Sequence, residues 1–399
     1  MLDMIKMIKI IYKNSLVYTI KKIYKSSIFL FILISLILVP ITTSIQIKTF
    51  DISKTGSYLH ILLDCNKTKS VIEPYTEINC GPLPIQSVEN GVDITKQYKE
   101  LGISYIRTHD LDNAIFPCDI STIFPDETAD PSLESSYDFI MSDSYIKSII
   151  NADCKVFYRL GESAGGPNDP PSNFNKWANV CTHIIMHYND GWKNGYNYNI
   201  SYWEIWNEPD LTGFWNGTAN QYYELYKITA NTLKEYNSSL KIGGPCTSSV
   251  YNENFTTNFL QYVIDNNVPL DFYSWHMYAD NPYQIYRAST LVRNYLDSYK
   301  LTDCENINTE WNINILTPQR EKDNSKNAAF TACSLTAFQD CYMDKAFRYR
   351  GTQDNNWLAR LIGFDLSLFS YNGVYKKPTL SYLAMNYLVK DSPIRLKTP

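Results

Sequence analysis

Residues 202–243 read YWEIWNEPDLTGFWNGTANQYYELYKITANTLKEYNSSLKIG, and the order of patterns in this stretch decides the fold. The run 202–207 is aromatic and β-branched, as a strand prefers. It closes on Asn207-Glu208-Pro209. Proline has no N–H to offer the ladder, so it stops the strand and leaves the Glu208 carboxylate at its end. Residues 220–236 then read as a helix, and 240–243 open a second strand. A strand, a helix and a strand in succession make a βαβ unit with a parallel sheet.

The same alternation runs outward in both directions. A helical run at 94–101 precedes a strand at 103–108, and one at 144–151 precedes the strand 155–160. Further on, helix 258–266 leads to strand 271–276, helix 289–299 to 306–310, and helix 325–341 to 345–349. Pro378 opens a last helix over 380–389, since proline suits a helix start. With a first strand inside 75–80 the count reaches eight. The expected fold is therefore an α/β (β/α)₈ TIM barrel over 75–399. The long polar loops 110–143 and 161–175 follow strands two and three, on the face where barrel active sites form. A doubly wound sheet is the alternative, but no glycine-rich phosphate loop opens any helix.

A second carboxylate stands in INTEWN, residues 307–312, where Glu310 ends a strand-like run. Cleaving a glycosidic bond takes two carboxyl groups, one to protonate the leaving oxygen and one to attack the anomeric carbon or activate water. Two glutamates at the C-terminal ends of parallel strands can converge across a barrel mouth. Glu162, in YRLGES, is a candidate third site carboxylate. Trp206 and Trp311 read as packing residues, and Trp215 in GFWNGT as a candidate sugar platform.

These motifs resemble glycoside hydrolase family 39 of clan A, the group of β-xylosidases and α-L-iduronidases. The resemblance runs from about residue 88 to 388 and rests on LGISYIRTHD, YRLGES, YWEIWNEPDLTGFW, KIGGP, SWHMY and INTEWN in that order. It implies a retaining O-glycosidase on the (β/α)₈ barrel. Glu208 is then the acid/base and Glu310 the nucleophile. Asn207 would bind the sugar's 2-hydroxyl. Arg107 and Tyr278 would keep Glu310 ionised and oriented, and His109 and His276 would bind sugar. The chain departs from the family pattern in three places. The β-sandwich of related xylosidases is not expected after the barrel, strand eight (345–351, KAFRYRG) lacks the expected tryptophan, and the first strand is hard to match.

Composition excludes other classes. A net charge of -5 argues against a nucleic-acid partner, which calls for a basic patch. Hydrophobic residues at 44% and charged ones at 19% provide for a large core. Nine cysteines show no CxxC or Cys/His spacing, so zinc is not expected. No organic cofactor is implied either, since two carboxylates suffice. The N-terminus is lysine-rich, then reads IFLFILISLILV at 28–39 and exits through Pro40 into small polar residues. That describes a signal peptide or an uncleaved signal anchor over 1–45, followed by an extension at 46–74. Five N-x-S/T sequons, at Asn66, Asn199, Asn216, Asn237 and Asn254, fit a secreted, lysosomal or membrane-anchored glycoprotein. In an oxidising compartment some cysteines should pair, Cys65 with Cys80 being the most local choice. Two further readings compete with an active carbohydrate hydrolase. One is an inactive sugar-binding relative, which would need no acid/base pair. The other is a structural cell-surface glycoprotein, which explains neither glutamate motif.

Overall fold

The computed structural model describes residues 67–84, 92–109, 116–352, 361, 363–370 and 372–397. The leader, Cys65 and the Asn66 sequon lie outside the described residues. Two units are distinguished, residues 72–393 and a smaller one. In the described part of the smaller unit, strand Thr68–Val71 pairs antiparallel with Ile394–Leu396.

The larger unit is a closed barrel of eight parallel strands. They are β1 (Ile78–Asn79), β2 (Tyr105–Arg107), β3 (Lys155–Leu160), β4 (Tyr202–Ile205), β5 (Lys241–Thr247), β6 (Phe272–Ala279), β7 (Glu305–Ile313) and β8 (Lys345–Arg348). Each pairs with the next, and β8 closes on β1. Closure rules out the doubly wound sheet. Among the described residues no helix is long and apolar enough to cross a membrane.

The helices outside the barrel start where capping chemistry allows. Thr218 accepts the backbone N–H of Gln221, and Gln221 accepts that of Thr218, opening helix Ala219–Tyr236. This reciprocal pair satisfies two donors that a helix start leaves orphaned. The helix lays Tyr222, Tyr226, Ala230 and Leu233 against the sheet side, the 3.6-residue spacing that made it legible. Asn281 and Pro282 open helix Pro282–Ser298 in the same way, seven residues earlier than the 289 expected from periodicity.

Inside the barrel, the Phe157 ring stands 5.2 Å from Phe272 and 4.7 Å from Phe347. Strand β3 is flanked by β2 and β4 only, so contacts with β6 and β8 must cross the interior. With Tyr202 and Ile307 these rings form a packed floor. Two-residue alternation then carries each strand from floor to mouth on the inward face. It leads from Tyr105 to Arg107, from Tyr202 to Glu204, and from Phe272 through Ser274 to His276 and Tyr278.

Strand β7 breaks that rule. Its register against β6 slips between Trp275 and His276, so that Asn308 faces Trp275 and Glu310 faces His276. Thr309 is the extra residue. A bulge of this kind re-aims the side chains beyond it. Ile307 points inward, and strict alternation would turn Glu310 outward; the bulge turns it in. Both β6 and β7 also run past the ends expected from sequence. Tyr278 therefore lies on β6 rather than after it, and Glu310 within β7 rather than at its end. The ladder continues because Tyr278 still pairs with Asn312.

Candidate active site

Glu208 lies just beyond β4, where the chain turns sharply. Trp206 and Glu208 both hold positive φ, 73° and 47°. Such a conformation costs a non-glycine residue on the order of 1 kcal/mol or more. It is held by the Glu208 N–H, which donates to the Cys246 carbonyl at 2.9 Å, and by the Trp206 indole, which donates to the Phe214 carbonyl at 2.9 Å. The turn delivers Asn207 and Glu208 to the mouth.

Glu310 arrives from β7. Its Oε1 accepts from Arg107 Nη1 at 3.0 Å and lies 3.0 Å from His109 Nε2. Its Oε2 accepts the Tyr278 hydroxyl at 2.6 Å. On the other side, His276 Nδ1 lies 2.8 Å from Glu208 Oε1 and 3.7 Å from Glu310 Oε2. One oxygen from each glutamate and one nitrogen of His276 all lie within 4.8 Å of one another. Glu208, Glu310, Asn207, Arg107, His109, His276 and Tyr278 are thus brought together.

The environments of the two glutamates differ in sign. Burial alone would raise the pKa of Glu310. The charge of His276, the hydrogen bond from His109 and the Arg107 charge outweigh it and hold the carboxyl well below its usual range. For Glu208 burial wins over the opposing His276 contact, and the negative charge of Glu310 adds to the rise. Burial pushes His109 down to about 3, so it is a neutral imidazole that donates its Nε2 hydrogen to Glu310. Burial raises the Tyr278 phenol well above its usual value, so it remains a donor. For His276 burial opposes the cation, but Cys246, Glu310 and Glu208 around it raise its pKa well above the ordinary value.

The glutamate pair and His276 are spaced as a divalent cation would need. Yet Arg107 already sits on Glu310 at 3.0 Å, and His276 Nδ1 is turned to Glu208. A second positive charge there would face the guanidinium, so the chemistry of the donor set favours an acid pair over a metal centre.

Three residues behind the site escaped the reading of the sequence. Glu204 accepts Arg107 Nε–H at 2.6 Å, both side chains being wholly buried. Asn79 on β1 accepts from Arg107 Nη1 at 3.0 Å and donates to the Thr309 carbonyl at 2.8 Å. Cys246 on β5 lies 3.1 Å from Arg107 Nη2. Alternation was the signal for Glu204, two residues along from Tyr202; the other two had none. Just past β8, Tyr349 stands at the mouth, its ring 5.4 Å edge-on to His109.

Two candidates are not brought in. Trp215 is 2% exposed, packs edge-on against Trp206 at 5.0 Å and donates to the Thr218 carbonyl. It is a packing residue, not a sugar platform, because the loop folds it inward beneath Gly217. Glu162 accepts from the Ser121 N–H and hydroxyl at 2.9 and 2.6 Å. It lines a separate cavity of about 370 Å³ with Phe124, Trp177 and Trp206, which neither Glu208 nor Glu310 lines. Burial and the nearby Asp119 push it up to about 8.

Cys118, Cys154, Cys181, Cys246, Cys304, Cys333 and Cys341 carry free thiols, so the expected pairing is not found among these seven. Most are core residues, packed like small hydrophobes.

Known proteins share this arrangement of sequence and fold. The chain is 28% identical over 227 residues to a beta-xylosidase from Geobacillus stearothermophilus, covering 51% of this chain and 42% of that one. It is 31% identical over 206 residues to a beta-xylosidase from Caldicellulosiruptor saccharolyticus, covering 47% and 39%. The alignments thus span about two fifths of these relatives' own length. Among solved structures, a glucosidase from Croceicoccus marinus superposes with a TM-score of 0.72 at 26% identity, covering 81% of this chain and 69% of that one. The family model matches residues 59–390, and the chain belongs to the glycosyl hydrolases family 39.

Proposed function

We propose that the protein is a retaining O-glycoside hydrolase, with Glu208 as acid/base and Glu310 as nucleophile. The observation that carries this is the close, oppositely tuned carboxyl pair, with its nearest oxygens within 4.8 Å. Retaining enzymes hold their carboxyl groups about 5–5.5 Å apart, whereas an inverting water needs roughly 6.5–9.5 Å. Glu310, ionised and aimed by Arg107, His109 and Tyr278, attacks the anomeric carbon. Glu208 gives its proton to the leaving oxygen, then takes one from the water that frees the glycosyl-enzyme. Asn207 has its Oδ1 held by Arg107 at 2.8 Å. That leaves its amide NH₂ as the end for the sugar's 2-hydroxyl.

The two beta-xylosidases support a β-xyloside-type substrate, and an exo mode of action is part of the same proposal. The secretory route rests on the leader and on the sequons. Asn199, Asn216, Asn237 and Asn254 are all exposed, as glycosylation requires.

Hydrolysis of a nitrophenyl glycoside panel tests the activity and names the sugar. NMR of the first-formed product anomer tests the stereochemistry. Retention is expected; an inverted product refutes the double displacement, and an inert wild-type enzyme refutes the glycosidase itself.

A further inference from the structure

One buried group in the site has no role in the chemistry above: the thiol of Cys246. It occupies the point where β5 slips register against β6, with φ at 57°. Its Sγ lies 3.0 Å from His276 Nε2, 3.1 Å from Arg107 Nη2, 3.3 Å from Asn207 Oδ1 and 3.6 Å from Thr309 Oγ1. A cysteine that serves packing alone behaves as a small hydrophobe. This one is surrounded by polar groups, and each of them leads to a glutamate. His276 touches Glu208, Arg107 touches Glu310, Asn207 precedes Glu208, and Thr309 precedes Glu310. The backbone carbonyl of Cys246 also holds the Glu208 N–H.

The directions of these hydrogen bonds follow from donor capacity. Arg107 can only donate. Asn207 Oδ1, which already takes a hydrogen from Arg107 Nη2, can only accept. The thiol hydrogen therefore goes to Asn207 Oδ1, and the sulfur lone pairs face Arg107 Nη2 and His276 Nε2. The charged and titratable groups around the thiol are Arg107 from β2, Glu204 from β4, His276 from β6, the buried Tyr222 phenol from helix Ala219–Tyr236 and, beyond them, Glu310 from β7. Burial and Glu204 raise the thiol's pKa more than His276 and Arg107 lower it, so the thiol keeps its hydrogen.

A sulfur whose own hydrogen is committed elsewhere can meet Nε2 only as an acceptor. We propose that Cys246 is a positioning residue of the active site: its sulfur holds a hydrogen on His276 Nε2, so that the one mobile proton of the His276–Glu208 pair lies between Nδ1 and the carboxyl group. Either Glu208 is the acid against a bare Nδ1, or it is the carboxylate against Nδ1–H. In both states Nε2 keeps its hydrogen. The pair thus has a single proton to deliver to a leaving group and a single place to recover it. This rests on Glu208 being the acid/base.

The test is nitrogen NMR of histidine-labelled full-length protein, with His276 assigned through His276→Gln. In the wild type, His276 should carry a hydrogen on Nε2 throughout the range from about pH 4 to about pH 8, where an imidazole ordinarily titrates. A hydrogen on Nδ1 with none on Nε2 overturns the proposal, and this readout needs no Cys246 variant to fold. In Cys246→Ala, the His276 titration should fall by roughly half a unit to one unit, with a mixture of tautomers. The alkaline limb of kcat/KM should move the same way. Cys246→Ser should restore the Nε2–H form, because a hydroxyl can accept as the sulfur does. An unchanged titration and tautomer in a folded Cys246→Ala overturns the proposal. If the wild type hydrolyses no glycoside, the glycosidase reading fails on its own, and the tautomer still decides the place of Cys246.

Discussion

Arg107 bonds Glu204 Oε2 through Nε at 2.6 Å, and neither side chain is reached by solvent. The same guanidinium carries Glu310 at 3.0 Å. Arg107 is therefore shared between a carboxylate at the mouth and one behind it. Replacing it leaves two buried carboxylates with no cation from Arg107. Breaking a buried pair costs about 3–5 kcal/mol. Arg107→Met should thus lose stability by that order along with turnover, whereas Arg107→Lys should keep the fold and still lose turnover, because ammonium cannot reproduce the fork. Thermal melts run beside kcat separate the two effects. Near-normal turnover in Arg107→Lys would remove the guanidinium geometry from the mechanism.

The two glutamates should fail differently. Glu208→Ala should still release dinitrophenol from an activated glycoside in a burst, then stall at the covalent intermediate. Added azide should free that intermediate as a glycosyl azide of retained configuration. On substrates with poor leaving groups its rate should fall by about 10²–10⁴, the usual worth of acid/base catalysis. Glu310→Ala should show no burst. The opposite pattern in pre-steady-state release would reverse the roles.

The pH profile should be bell-shaped and lie on the acidic side of neutral. Glu310 is held below its usual range, so it stays ionised until well into acid. Glu208 is raised, so it stays protonated above its ordinary value, and activity falls as pH rises through that raised value. The sign for stability differs between them. The contribution of Glu310 is present above the unfolded carboxyl value of about 4.3 and is lost as pH falls through its depressed folded value. That of Glu208 is present below about 4.3 and is lost as pH rises through its raised folded value. In Glu208→Gln, the alkaline limb of kcat for activated substrates should vanish; its persistence would assign that limb to another group.

Trp215 should matter for stability and not for sugar binding. Its side chain fills the space beside Trp206. Trp215→Ala should cost about 3–5 kcal/mol as a large-to-small core change. The KM of the folded fraction should stay near that of the wild type. A large rise in KM at unchanged melting temperature would restore the platform role.

If the chain enters the secretory pathway, the exposed Asn199, Asn216, Asn237 and Asn254 should carry glycans. Treatment of the protein from its native host with an N-glycan-removing enzyme should then lower its apparent mass. No shift in protein recovered from the medium would reject glycosylation.

Sequence alone determined the barrel and the two glutamates, because both are written in local patterns. Eight strand-like runs recur with helical runs between most of them, and Pro209 marks where the β4 strand stops beside Glu208; the helix Phe174–Asp190 was the one between strands that the reading of the sequence passed over. Arg107 and His276 entered the reading only through the resemblance of their motifs to the family. Only the tertiary structure decided that Glu310 points inward. Counting by twos from the inward Ile307 turns it away, and the inserted Thr309 restores it, an insertion visible only when β7 is paired with its neighbours. Trp215 and Glu162 were misplaced for a related reason. A polar, glycine-rich loop reads as exposed whichever way its large side chains fold. Glu204, Asn79 and Cys246 gather around one guanidinium from three different strands. Asn79 and Cys246 carry no signal in their own segments, and Glu204 only that of alternation from Tyr202. Their meeting follows from closure of the barrel, which sets residues 79, 107, 204 and 246 around one axis.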